Sequence, residues 1–173
     1  MLLLDESTIH ALFRNQNGDD WIGGVHMVSK FYEYVPFTLH GKKYIVSLRF
    51  PNYLNDIGFY EDMLLKAVDG GYFIPKRDHR IISLLSIDDN YSLSPMKEIP
   101  YADINSLLKI LFNAILSYNN SNSYVNQYFF ESVSNLGNLL QEQIPLMIPK
   151  GNSVMFHDEI SPPLYGFTIV RPI

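Results

Sequence analysis

The stretch from Phe31 to Phe50, FYEYVPFTLHGKKYIVSLRF, decides the fold class. Residues 31–39 and 43–50 are rich in Tyr, Phe, Val and Ile, the residue types that favour strands. His40-Gly41-Lys42 lies between these runs and supplies the turn, so the stretch predicts a β-hairpin. Pro36 has no backbone N–H group to donate, and it predicts that the first strand of the hairpin lies at a sheet edge.

Further strands are predicted on both sides of the hairpin. Gly23-Gly24 interrupts the first of them as a bulge or bend. Asp88-Asp89-Asn90 closes the strand that ends at residue 87 and opens a loop over 88–100. The predicted strands outside the hairpin cover residues 21–27, 72–74, 80–87, 154–156 and 167–170.

Helices are predicted on both sides of the loop over 88–100. Residues 5–14 and 58–68 predict two helices before this loop. Asp103 caps the strongest helix, 104–118, whose nearly continuous apolar surface predicts a central position. A second central helix is predicted over 124–143, burying Tyr128, Phe129, Val133, Leu136 and Leu140. We therefore expect an α+β fold, a mostly antiparallel sheet packed against two central helices, in a single domain over residues 1–173.

The composition excludes several classes of protein. The chain has 173 residues, of which 47% are hydrophobic, with 11 Phe and 12 Tyr, so core material is plentiful. It has no cysteine, which excludes a disulfide framework, cysteine-ligated zinc and thiol catalysis. No stretch reaches the ~18 apolar residues of a membrane helix, and acids interrupt the apolar N-terminus. The expected location is the cytoplasm.

The charge balance favours a protein partner over nucleic acid. The formal net charge is −5. Negative charge disfavours contact with phosphates, because nucleic-acid affinity comes largely from their neutralisation by bases. The same balance favours a partner with a basic surface. The oligomeric state is left open by the sequence.

No motif predicts a cofactor. The chain contains no GxGxxG, GxxxxGK[ST] or GxSxG pattern. His157-Asp158-Glu159 is the densest polar cluster, and its side chains are of the types that bind metals or move protons. Three adjacent residues do not all point in one direction, however, so we expect neither a metal site nor a cofactor.

Acidic loops with tyrosines nearby suggest a surface for binding a protein. Acids steer a basic partner, and tyrosine is enriched among the residues that dominate interface energies. The leading hypothesis is a small binding protein of the immunity or inhibitor type that occludes a basic toxin, effector or defence enzyme. The candidate partner-binding residues are Tyr53, Asp56, Tyr60, Glu61, Asp62, Asp88, Asp89 and Tyr91.

An alternative hypothesis belongs to a different class, a metal-independent nuclease or toxin. A basic loop could hold phosphate while a histidine moves protons. The residues that would carry this chemistry are Lys76, Arg77, His79, Arg80 and His157.

Overall fold

The computed structural model describes residues 4–50, 79–96, 103–131, 142–146, 153–157 and 164–170. Its helices are α1 (Glu6–Leu12) and α2 (Ile104–Ser121), with a further helical stretch at 142–146. Its strands are β1 (Trp21–Ile22), β2 (His26–Ser29), β3 (Tyr32–Leu39), β4 (Lys42–Arg49), β5 (His79–Ile87), β6 (Leu93–Pro95), β7 (Gln127–Glu131), β8 (Ser153–His157) and β9 (Leu164–Val170). The predicted helix at 58–68 and the predicted strand at 72–74 lie outside the described residues.

The chain divides into two compact units. The first comprises Met1–Leu48 and Ser83–Ser121, and the second comprises Arg49–Ile82 and Asn122–Ile173. In the first unit the strand order is β1-β3-β4-β5, with β2 also on β3 and β6 also on β5. In the second unit the order is β5-β7-β9-β8, so β5 contributes residues to both units. The single domain expected from the sequence stays a prediction.

The predicted hairpin is confirmed as β3 and β4. His40 has a φ of 51° and Gly41 a φ of 76°, and two positive φ values define the type I′ turn that suits the twist of paired strands. The preceding loop holds this turn in place. The His40 N–H donates to Asp20 Oδ1 at 2.9 Å, and the Gly41 N–H donates to the Asp19 carbonyl at 3.0 Å.

The expectation that Pro36 marks a sheet edge is wrong. Strand β3 is paired on one side with β1 and β2 and on the other with β4. The Gly23 N–H donates to the Pro36 carbonyl at 2.8 Å. Because the N and C=O of one strand residue face the same neighbour, the missing N–H of Pro36 also points towards β1 and β2. Pro36 therefore removes no bond from the ladder between β3 and β4.

Helices α1 and α2 lie on opposite faces of β3. Tyr34 belongs to a buried cluster with Ile9 of α1. The next residue, Val35, lines a pocket together with Ala114 of α2. Successive residues of a strand point to opposite faces of the sheet, so the two helices cover β3 from two sides.

The prediction of a second central helix over 124–143 is wrong for residues 127–131, because these residues form β7. This strand runs parallel to β5 and antiparallel to β9, which makes the sheet mixed. Residues 127–130 are all buried, so the strand shows none of the alternation that would have distinguished it from a helix.

The other predicted central helix is confirmed as a helix but not as a central one. It extends to Ser121 as α2 and buries an apolar side that includes Leu107, Leu111 and Ile115. Its opposite side is exposed at Lys109, Asn113 and Ser117. The helix is amphipathic, and one face meets solvent.

Candidate protein-binding site

The turn between β5 and β6 is built by one of the predicted site residues, Asp88. Its Oδ1 accepts hydrogen bonds from the backbone N–H groups of Asn90 at 2.8 Å and Ser92 at 3.0 Å. The Asp88 carbonyl also accepts from the Tyr91 N–H at 3.0 Å. These bonds hold Tyr91 at a φ of 60°, a left-handed conformation that is rare and strained for a bulky residue.

Helix α1 begins with two acids that have different roles. Asp5 is the N-cap, and its Oδ1 accepts from the Thr8 N–H at 2.7 Å and from Ser7 Oγ at 3.0 Å. Hydrogen bonding from Thr8, and then from Ser7, lowers the pKa of Asp5 below its ordinary value. Glu6 lies in the first turn and pairs with His10, with 3.3 Å between Glu6 Oε1 and His10 Nε2.

A ring contact joins the turn to the helix. The centroids of the His10 and Tyr91 rings are 5.6 Å apart, and their planes are inclined by 58°. Tyr91 also packs against the buried cluster that contains Ile9 of α1 and Leu93 of β6. We call the surface formed by Glu6, His10, Asp88, Asp89 and Tyr91 the α1–turn patch.

The α1–turn patch is acidic, partly aromatic and open to solvent. The Glu6 and His10 side chains are 65% and 60% exposed, and Asp88 and Asp89 are exposed as well. Its carboxylates are Glu6, Asp88 and Asp89, and His10 is its one basic side chain. Carboxylates beside a partly exposed tyrosine ring can attract a lysine or arginine and then stack with it.

The structure brings together three of the residues predicted from the sequence, Asp88, Asp89 and Tyr91. Glu6 and His10 were not among the predicted site residues, although their i, i+4 spacing on a predicted helix indicated that they form a pair. The remaining predicted partner-binding residues, Tyr53, Asp56, Tyr60, Glu61 and Asp62, lie outside the described residues.

Two residues of the nuclease hypothesis, His79 and Arg80, are buried. His79 contacts the Phe129 ring edge-on at a centroid distance of 5.1 Å. Arg80 Nη1 donates to the His79 carbonyl at 2.9 Å, and its guanidinium lies 3.9 Å from the centre of the Phe50 ring. Burial in a strand gives a phosphate chain little access to either side chain.

Of the other residues in the nuclease hypothesis, Lys76 and Arg77 lie outside the described ranges. His157 is in β8, where its backbone is paired opposite Gly166 of β9. An assay for RNA cleavage by the purified protein remains the test of this alternative.

The described residues contain neither a metal-binding cluster nor a membrane-spanning helix. No group of three or more His, Asp or Glu side chains in that part of the chain could hold a metal ion. Among the helices that the structure describes, none has the length and apolar character needed to cross a membrane. The expected absence of a metal and of a cofactor stays a prediction.

No protein-family model matches the chain, and no curated protein or solved structure matches it either.

Proposed function

We propose that the chain is a small binding protein of the immunity or inhibitor type that captures a basic protein partner through the α1–turn patch. The observation that carries this proposal is the contact between His10 and Tyr91 at 5.6 Å. It joins the acidic start of a helix and an acidic turn into one exposed surface. The turn supplies Asp88, Asp89 and the Tyr91 ring, and the helix adds the carboxylate of Glu6 and the His10 ring.

The patch has the parts of a steering and anchoring surface. Exposed carboxylates speed the encounter with a positively charged partner and act mainly on the association rate. Tyr91 supplies a ring that already packs against the buried cluster and the His10 ring, so little side-chain freedom is lost on binding. We propose a toxin, effector or defence enzyme as the partner and occlusion of its basic surface as the mechanism, with the cytoplasm as the place of action.

The test is affinity capture with a charge-reversed patch. The variant Glu6→Lys/Asp89→Lys reverses two exposed charges and spares Asp88, whose carboxylate builds the turn. Glu142→Lys is the matched control, because Glu142 is an exposed acid in the other unit. Wild type and control are expected to retain one stoichiometric basic protein from the native lysate, and the double variant is expected to lose it.

Binding kinetics with the captured protein then test the mechanism. The association rate of the wild type should fall as salt rises, because salt screens exposed charges over ~10 Å at 0.1 M. The double variant should associate more slowly at low salt and show a weaker dependence on salt. If it retains the partner with unchanged kinetics, the α1–turn patch is not the binding surface.

A further inference from the structure

A pocket lies between the start of the sheet and α2, away from the α1–turn patch. Its volume is about 210 Å³. Residues 22–25 form one wall, and Val35, Asn113, Ala114 and Ser117 complete the lining. All of these residues belong to the first unit.

The lining of the pocket selects an uncharged apolar group. Val35 and Ala114 are buried and form an apolar floor. Asn113 and Ser117 are exposed and lie one helical turn apart, so their amide and hydroxyl groups stand on the same side of α2. None of the lining residues is charged. Since an apolar cavity of ~150 Å³ can bind benzene, this pocket has room for one apolar side chain.

Backbone groups beside the pocket point away from β3. Gly23 donates to Pro36, so Ile22, the preceding residue, directs its N–H and C=O groups to the other side. The backbone N–H and C=O groups of Tyr34, two residues before Pro36, point to the same neighbouring strands as those of Pro36. Tyr34 is paired with His26, so the next residue, Met27, directs its own backbone groups away from β3. In the described part of the chain, β1 and β2 have β3 as their strand neighbour.

This edge also carries exposed apolar side chains. Met27 is 71% exposed, Ile22 is 41% exposed and Val25 is 40% exposed. Gly24 lies among them, and a Cβ built on it would meet no atom within 4 Å. An open backbone edge, an apolar row and a pocket for a side chain therefore occur together within a few residues.

We propose that the edge formed by β1 and β2 binds an extended segment of another protein, with one uncharged apolar side chain seated in the pocket. The segment pairs with the outward backbone groups of Ile22 and Met27. In this mode of recognition, backbone hydrogen bonds supply affinity, and the pocket supplies specificity. The surface differs from the α1–turn patch in position and in the chemistry of what it binds.

The test uses the full chain labelled with ¹⁵N and a panel of capped peptides, Thr-Thr-X-Thr-Thr. Peptides with Leu or Phe at X are expected to shift the amide signals of residues 22–27 and 113–117 in a saturable way. Peptides with Ala or Asp at X should bind about tenfold more weakly, because a missing hydrocarbon group or a buried charge is costly in an apolar pocket.

Two variants separate the pocket from the strand edge. Ser117→Leu narrows the mouth of the pocket and should weaken the Leu peptide about tenfold. Ser106→Leu, at another exposed serine of α2, is the control and should bind as the wild type does. Met27→Pro removes an outward N–H group and should also weaken binding, while Trp21 fluorescence reports whether the variant is folded.

Three results would overturn the proposal. The first is the absence of any signal shift with the Leu and Phe peptides. The second is equal binding of the Leu and Asp peptides, which would exclude the pocket. The third is wild-type affinity in a folded Met27→Pro variant, which would exclude pairing with the strand edge.

Discussion

Thr38 carries a buried hydroxyl group near the C-terminal end of β3. Its side chain is fully buried, and Oγ1 has no hydrogen-bond partner among the described residues. A buried polar group without a partner loses its bonds to water and gains none in return. The hydroxyl therefore destabilises the fold, whereas the methyl group of the same side chain packs in the core.

Replacing Thr38 by Val should stabilise the protein. The change removes the hydroxyl and keeps the shape, so we expect the free energy of unfolding to rise by about 1 kcal/mol. Thr38→Ser is the matched control, because it keeps the hydroxyl and removes the methyl group, and it should lower stability. Urea unfolding followed by Trp21 fluorescence measures both, and a Val variant less stable than wild type would contradict the argument.

Tyr34 makes the stability of the fold depend on pH in the alkaline range. Burial, and to a smaller extent the neighbouring Tyr32, raises the pKa of Tyr34 to about 12. Burial, followed by the charge of Asp103, also raises the pKa of Tyr44. The folded chain thus keeps phenol protons that the unfolded chain releases near pH 10, so unfolding is favoured as pH rises from about 10 to 12.

The Tyr34→Phe variant should lose part of this dependence on pH. A phenylalanine has no proton to release, so the variant should lose less stability than wild type between pH 9 and about 11. Tyr124→Phe, at a residue that is 62% exposed, is the composition-matched control and should follow wild type. Parallel urea titrations at the two pH values measure the slopes, and equal losses in all three proteins would exclude Tyr34 as the source.

At the scale of elements, the two adjacent glycines between β1 and β2 have different surroundings. A Cβ on Gly23 would lie 2.7 Å from Trp21 Cη2 and 2.9 Å from Pro36 Cγ. Both distances are shorter than a carbon contact allows, and the Pro36 ring is rigid. A Cβ on Gly24 would meet nothing within 4 Å. Gly23 is thus required by close packing of β1 on β3, and Gly24 is not.

We expect Gly23→Ala to destabilise the protein by about 1–3 kcal/mol, the usual cost of overpacking. Gly24→Ala should be close to neutral, since the space is open and the unfolded chain loses freedom. Thermal unfolding compares the pair, and Trp21 emission should shift in the first variant because its ring must move. Equal stability of the two variants would mean that the strand shifts to accept the added methyl group.

The elements also show how far sequence could predict this fold. The β3–β4 hairpin was predictable because strand-favouring residues flank His40-Gly41, and α2 because its apolar residues recur at helical spacing. Strand β7 was not, because Tyr128, Phe129 and Phe130 are buried on both faces and continue into a pattern of apolar residues that suits a helix. Of the site, Asp88, Asp89 and Tyr91 were predicted, but the contact that places them beside His10 depends on tertiary packing.

At the scale of the whole molecule, β5 is the element that both units share. Residues 79–82 of this strand belong to the second unit, and residues 83–87 belong to the first. Its first half pairs with β7 in parallel, and its second half pairs with β6. A strand cannot lose its order at one half without fraying the next residues of the other half, so the unfolding of the two units should be coupled.

Coupling predicts a single unfolding transition. Trp21 fluorescence reports on the first unit, and exchange of the Ile169 amide, which donates to the Asn126 carbonyl at 2.8 Å, reports on the second. Their denaturant midpoints should coincide.

A core variant tests the coupling. Ile82→Ala removes a fully buried side chain of the second unit and should lower both midpoints together, with a loss of about 2–5 kcal/mol in the free energy of unfolding. Leu146→Ala, at a residue that is 77% exposed, should leave both unchanged. A fall in the Ile169 midpoint alone would show that the two units unfold independently. The two halves of β5 would then lose their order separately, each with its own unit.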